Sequence, residues 1–253
     1  MGKQKSQTKA VPAKAAPYVF PPSVWTGKKP RTLGPPTTLL ASQILLFDST
    51  LLAEECRALV GLFDSPSAAA GTGSSGSCPT LEPSPAARRG EAQRTNHRFS
   101  TTDASFAAAL FAHTGLAAAL STHLAPTPDG RRPVGLSANI RIYRYDPGAI
   151  FGPHYDDHAT DPASGLRTEW TLLVYLTGQQ DGVDGGQTVF YEDHARPGPG
   201  AGAGSKERGR IVAPLSRGTA LLHRHGRSCM LHEALPPTRG TKWVLRSDVV
   251  FGR

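Results

Sequence analysis

Cysteine, aromatic side chains and long apolar runs are all scarce in this sequence. Three cysteines in 253 residues, Cys56, Cys78 and Cys229, form no C-x-x-C pair and are odd in number. That fits a reducing intracellular compartment, cytoplasmic or nuclear, better than a disulfide framework. No stretch approaches the roughly 18 consecutive apolar residues of a membrane-spanning helix, and no secretory apolar segment follows Met1. Acidic residues are missing from positions 1–47, where Lys3, Lys5, Lys9, Lys14, Lys28, Lys29 and Arg31 carry the only charge. The net charge of +8 is therefore mostly local, since the other 21 basic residues meet 20 acidic ones. A nearly neutral remainder offers no phosphate-tracking surface, so sequence-specific nucleic-acid binding is not expected. The basic stretch reads as a weak tether or a solubility device.

Glycine and proline, by contrast, are abundant, at 27 and 22 residues. That is too many for a compact helical bundle and points to strands, turns and loops. Residues 1–38 lack periodicity and are interrupted by prolines at 12, 17, 21, 22, 30, 35 and 36, which predicts a basic, Pro-rich disordered arm ahead of one domain over 39–253. From Thr50, the apolar residues Leu52, Cys56, Leu59, Val60 and Phe63 recur at helical spacing behind the cap candidates Asp48 and Ser49. Asp103 caps a second helical run through Phe106, Leu110, Leu116, Leu120 and Leu124, with Gly115 as a break. Residues 65–90 and 195–209 are low in complexity and read as flexible insertions.

After Pro133 the period shortens to that of strands, in A-N-I-R-I-Y-R-Y (138–145), W-T-L-L-V-Y-L (170–176), Q-T-V-F-Y (187–191), G-T-A-L-L-H (218–223) and T-K-W-V-L-R-S-D-V-V-F (241–251). No strand–helix alternation accompanies them, so the expectation is a mainly β sandwich or barrel.

One triplet stands out chemically. His154 and Asp156, in F-G-P-H-Y-D-D-H, are two apart, so on an extended strand both leave the same face. An imidazole and a carboxylate suit a divalent iron site if another histidine arrives from a neighbouring strand. His232 is the natural third ligand, in an apolar, strand-like stretch 78 residues later. A lone H-x-D also arises by chance, and a buried histidine commonly just bonds a carbonyl.

The surrounding segments resemble the prolyl 4-hydroxylase branch of the Fe(II)/2-oxoglutarate dioxygenases. Y-R-Y-D-P-G-A-I-F-G-P-H-Y-D is similar to that family's Tyr-x-x-Gly…His-x-Asp segment, and T-L-L-V-Y-L, G-G-Q-T-V-F and L-H-E-A-L-P-P-T-R-G-T-K-W-V-L-R-S-D-V follow in the family's order. The resemblance covers residues 138–251. It implies a double-stranded β-helix (jelly roll) with N-terminal helices packed outside. It also implies that His154, Asp156 and His232 are the iron ligands and that Lys242, ten residues after His232, holds the distal carboxylate of 2-oxoglutarate. Tyr145 and Thr188 match hydroxyl positions that assist the same carboxylate. Arg246 is a rival anion binder, because residues 242, 244 and 246 share a strand face. An ammonium buried in a barrel is costly alone, and a dicarboxylate partner removes that cost.

Some positions depart from the pattern. Thr168 stands where the family often has arginine, with Arg167 one place off. Asp157 and His158 read as residues of the site's mouth, whereas His223 and His225 either line the entrance or, the preferred reading, bond backbone. Asn96 and Arg98 resemble an Asn-x-Arg element of structural role.

The implied activity is an intracellular hydroxylase using Fe(II), 2-oxoglutarate and O2, with ascorbate as an accessory, and releasing succinate and CO2. A prolyl residue in a protein is the first substrate to consider, and a small molecule is the other class. A zinc hydrolase with the same ligands leaves Lys242 and Tyr145 unexplained, and a non-catalytic β-barrel binding module leaves the whole ligand set unexplained. Met1-Gly2-Lys3-Gln4-Lys5-Ser6 fits the N-myristoylation pattern at Gly2, which would add membrane association to an otherwise unmodified basic tail.

Overall fold

The computed structural model describes residues 17–26, 30–64, 79–192 and 209–253. Gly2, Cys78, the arm up to residue 16 and most of both expected insertions lie outside the described residues. The strands are β1 (Thr37–Leu40), β2 (Ile44–Phe47), β3 (Glu82–Pro83), β4 (His97–Thr102), β5 (Arg132–Leu136), β6 (Asn139–Tyr145), β7 (Phe151–His154), β8 (Arg167–Tyr175), β9 (Asp184–Gly185), β10 (Thr188–Tyr191), β11 (Arg210–Ala213), β12 (Ala220–Arg224), β13 (Leu231–Ala234), β14 (Pro237–Arg239) and β15 (Lys242–Gly252). Helices α1 (Ala53–Asp64), α2 (Ala104–His113) and α3 (Leu116–His123) complete the set among the described residues.

Nine strands form an antiparallel sheet ordered β1-β2-β12-β8-β15-β6-β4-β3, with β5 also on β15; four more form β11-β10-β13-β7. Alternation along the central strands decides what each face meets. Ile140, Ile142, Trp170, Leu172, Val174, Trp243 and Leu245 point outward and join Leu59, Leu110, Leu116 and Leu120 of the helices in one apolar cluster. Tyr143, Tyr175, Leu221 and Val244 point inward and share a second cluster with Phe151, Phe190 and Ala234 of the smaller sheet. Two antiparallel sheets face to face with helices outside make a double-stranded β-helix. Because both faces of the large sheet are covered, every residue of β15 is buried, polar ones included.

Asp103 caps α2, its Oδ1 accepting from the Phe106 N–H at 2.9 Å. Gly115, at φ +84°, breaks the run between α2 and α3 where a Cβ would strike the Arg31 carbonyl. Asp48 does not cap α1, since its carboxylate accepts from the Thr219 hydroxyl at 2.9 Å.

The expected arm over 1–38 needs correction wherever it is described. Phe20 and Val24 are buried in the outer cluster. Arg31 makes a two-pronged ion pair with Glu55, both contacts at 2.8 Å, and β1 starts at Thr37. The prolines that break periodicity here do not prevent packing. They hold an extended chain against the helices, with a single 3-10 turn at Pro22–Val24. Residues 79–90 of the first expected insertion likewise contribute β3, paired with β4.

Candidate metal centre

The smaller sheet supplies the first two donors. Strands β13 and β7 pair antiparallel with His232 directly opposite His154, so both imidazoles leave the same face with ring centroids 4.2 Å apart. Asp156 follows β7 by two residues and reaches the same point. Its Oδ1 is 3.8 Å from His154 Nε2 and its Oδ2 3.7 Å from His232 Nε2. The three donors lie within 4.8 Å of one another, so the structure brings together the triad read from the sequence.

The tautomers fit a metal. His154 Nδ1 lies 2.8 Å from the Gly152 carbonyl and His232 Nδ1 2.9 Å from that of Met230. A carbonyl only accepts, so both Nδ1 atoms carry the proton and both Nε2 lone pairs face Asp156. Burial, with His232 beside it, pushes His154 down to about 3, and burial also lowers His232, which keeps the rings neutral. Burial alone would raise the Asp156 carboxyl, but the Arg246 guanidinium beside it holds it well below the usual carboxylate range. Two neutral imidazoles and a carboxylate converging on one point are the donor set of a non-haem Fe(II) centre.

Arg246 does not stand free as an anion binder. It donates to Asp156 Oδ1 at 3.0 Å and contacts Asp248 Oδ1 at 3.4 Å, so the alternative cosubstrate role gives way to one of holding the carboxylate ligand. The Thr171 hydroxyl donates to Asp156 Oδ2 at 3.0 Å and is itself 3.1 Å from His225 Nδ1. His225 thus meets the hydroxyl that holds the carboxylate ligand and, as expected, also bonds backbone, at Thr168. His223 does place Nδ1 3.0 Å from the Arg224 carbonyl, yet its Nε2 reaches 3.7 Å from Asp156 Oδ2, inside the centre instead of at its entrance.

Lys242 starts β15 opposite Tyr145 on β6. Its side chain is 1% exposed, and burial with no counter-charge pulls the amine down to about 7. Nζ donates to the Gly186 carbonyl at 2.6 Å. The positive φ of Gly186 permits that approach, since a Cβ there would sit 3.3 Å from Lys242 Cδ. The Tyr145 ring lies 5.0 Å and the Tyr175 ring 5.6 Å from Nζ. Tyr175, which the sequence reading did not single out, donates from its hydroxyl to Thr188 Oγ1 at 3.0 Å. Lys242, Tyr145 and Thr188 line one pocket with the metal donors.

An outer cleft of about 720 Å³ opens onto His154 and Asp156, with Arg94, Arg98 and Asp157 on its walls. Arg94 stacks on Phe151, 3.6 Å from the ring centroid, and Phe151 stacks on His154 at 3.5 Å. Asn96 is buried and accepts from Ser84 Oγ at 3.2 Å, in the structural role expected of it. Thr168 is likewise buried, its hydroxyl accepting from the Ala159 N–H at 2.9 Å.

Residues 140–247 match the family model described as the 2OG-Fe(II) oxygenase superfamily. No curated protein matches the chain. Among solved structures, a prolyl-4-hydroxylase from Pseudomonas putida aligns with 82% of this chain and 92% of its own at a TM-score of 0.52 and 18% identity. A prolyl hydroxylase from Trichoplax adhaerens aligns at 0.49 and 14% identity over 83% and 84%. The viral collagen prolyl hydroxylase of Paramecium Bursaria Chlorella virus-1 gives 0.45 and 17% over 82% and 95%. The Pseudomonas likeness, at that identity, is one of fold.

Proposed function

From the 2OG-Fe(II) oxygenase pattern of residues 140–247, we propose that the chain is an Fe(II)- and 2-oxoglutarate-dependent dioxygenase that hydroxylates a C–H bond, with a prolyl residue in a protein as substrate. Bound at this centre, the iron would supply the oxidising chemistry, in which O2 and 2-oxoglutarate are consumed, succinate and CO2 leave, and a C–H bond gains a hydroxyl.

The chain's own residues do the positioning. His154, Asp156 and His232 would hold the metal from one side. Arg246 and Thr171 keep Asp156 ionised and fixed in rotamer. Lys242 would bind the distal carboxylate of the cosubstrate, with Thr188 and Tyr145 beside it. The phenol of Tyr145, pushed upward by burial, keeps its proton for donation. The cleft over His154 is where a peptide would lie, and ascorbate would act as an accessory.

The observation that carries this reading is Lys242. A fully buried amine with no acidic neighbour among the described residues is a costly feature in a binding module or a hydrolase. A dicarboxylate cosubstrate supplies the missing countercharge. Anaerobic addition of Fe(II) and then 2-oxoglutarate should produce the weak visible charge-transfer band of the ternary complex. Metal bound with no band would turn the assignment toward a hydrolase or a binding module. Succinate release coupled to hydroxylation of proline-containing peptides, and not to small molecules, is the outcome expected for the substrate.

A further inference from the structure

We infer that Arg94 selects the substrate, receiving a carboxylate that the substrate carries within one or two residues of the position to be oxidised. The inference rests on the proposal that a peptide occupies the cleft over His154, and deepens it by naming what that peptide must bring. Arg94 is half-buried on the wall of this cleft, together with Phe151, His154 and Asp156.

Three observations converge. First, the guanidinium stands close to the donors. Its Cζ lies 3.6 Å over the Phe151 ring, whose centroid is 3.5 Å from that of the His154 ring. Two stacking distances thus separate the cation from a metal ligand, a span that an extended peptide, rising about 3.3 Å per residue, covers in about two residues. Second, the backbone fixes this position. Arg94 sits opposite Phe151 in an isolated antiparallel bridge. On either side of it the Gly152 N–H donates to the Gln93 carbonyl at 2.8 Å and the Thr95 N–H to the Ile150 carbonyl at 2.9 Å. Third, the charge is unanswered. Arg246 is committed to Asp156 and Arg141 to Asp248, whereas Arg94 has neither an ion pair nor a side-chain hydrogen bond among the described residues. Burial lowers the guanidinium from its ordinary value, offset mainly by the Tyr143 and Tyr145 phenols and only weakly by Asp156. It nevertheless stays charged, and presents a planar fork of N–H donors that matches a carboxylate.

Covering the Phe151 ring is the plainer role for this side chain. An apolar residue would do that without drawing a cation out of water, so the charge has a use only if an anion comes to it. Glu91, also on the cleft wall, accepts instead from the Arg88 N–H at 3.0 Å. The incoming carboxylate has two possible sources, an acidic side chain beside the oxidised residue or the C-terminus of the substrate.

The test reads binding, not turnover. The full-length protein, loaded with Fe(II) and 2-oxoglutarate in the absence of O2, is titrated into labelled proline-containing peptides and followed by fluorescence anisotropy. One pair differs only in Glu or Gln one or two residues from the proline, and a second pair ends at the proline as free acid or amide. The charged member of a pair should bind about ten- to hundredfold tighter than its neutral twin, the worth of one charge-assisted contact. Arg94→Leu, which still covers Phe151, should bring the twins to equal affinity, and Arg94→Lys, which lacks the fork, should keep part of the difference. A gain confined to the free acid upholds Arg94 and assigns the carboxylate to the end of the chain. Equal affinities in the wild type, a preference that survives Arg94→Leu, or no binding by any peptide overturns the inference. Should Arg94→Leu not fold, the wild-type pairs and Arg94→Lys decide. A charge preference without the oxoglutarate band would uphold Arg94 and sink the dioxygenase; the band without a preference would do the reverse.

Discussion

Lys242 is the residue at which burial and chemistry are most plainly in tension. Its amine is held near 7 in the folded chain by burial, against about 10.4 for a free lysine. Between those values the unfolded chain keeps a proton that the folded chain has shed. Stability of the cosubstrate-free protein should therefore rise with pH from about 7 to about 10, by up to about 1.4 kcal/mol per pH unit, a trend that denaturant melts at stepped pH would reveal. Binding of a dicarboxylate requires the charged amine, so above pH 7 it should draw in a proton. Calorimetry in buffers of different ionisation heat should register that uptake, and affinity should fall up to about tenfold per unit of rising pH. Substitution separates the two cations of β15. Lys242→Ala should leave Fe(II) binding intact and raise the oxoglutarate requirement about ten- to hundredfold, the worth of one charge-assisted contact. Arg246→Ala should act the other way, weakening Fe(II) binding because Asp156 loses its partner at 3.0 Å. If Arg246→Ala moves only the oxoglutarate requirement, the division of labour drawn here is reversed.

At the scale of elements, what was legible was whatever carries a period. The alternation in K-W-V-L-R-S-D-V-V-F put Lys242 and Arg246 on one face, and β15 keeps that face inward while Trp243 and Leu245 meet the helices. The two-residue spacing of His154 and Asp156 and the motif around His232 gave the triad. Thr171 was not legible as a site residue, and His223 only as one that lines the entrance or bonds backbone, because nothing but the cross-strand register of β12 with β8 brings the two together. Strand β4, H-R-F-S-T-T, sits near the sheet edge with one side half-open, so it has no apolar alternation to read. Asp103 was legible as a cap but not in its second task. Its Oδ1 accepts from Phe106 N and its Oδ2 from Phe20 N at 2.8 Å, stitching α2 to the N-terminal segment. Asp103→Ala should therefore lose about 1 kcal/mol of capping and a further 1–3 kcal/mol for the buried Phe20 N–H left bare. Asp103→Asn, which keeps one oxygen, should lose roughly half as much in equilibrium urea unfolding. Equal losses for the two variants would mean that the second contact adds nothing.

For the whole molecule, the N-terminal segment is where composition misled most. Prolines and lysines made residues 1–38 look unable to pack, yet within 17–26 the chain places Phe20 among Tyr18, Phe99 and Phe106, with ring centroids 4.4–6.3 Å apart. It also sets Trp25 against Phe106 at 5.2 Å and ties Arg31 to a Glu55 side chain that is 1% exposed. Removing Arg31 leaves the buried Glu55 carboxylate to the Leu52 N–H and the Thr26 donors alone, a loss of about 3 kcal/mol, and emptying the Phe20 site costs at least a similar amount. A chain begun at residue 34 should melt well below one begun at residue 17. At about 2–4 °C per kcal/mol for a domain of this size, Phe20→Ala alone should lower Tm by roughly 10 °C. The loss should be one of stability and not of chemistry, because none of these side chains reaches the metal donors and the outer cluster lies across the large sheet from them. Fe(II) affinity measured well below the melting range should therefore be unchanged in Phe20→Ala. A shortened chain that melts within about 2 °C of the longer one would show that the segment merely rests on the helices. A Phe20→Ala protein with normal Tm but weakened Fe(II) binding would instead mean that the N-terminal layer shapes the metal centre through the sheet.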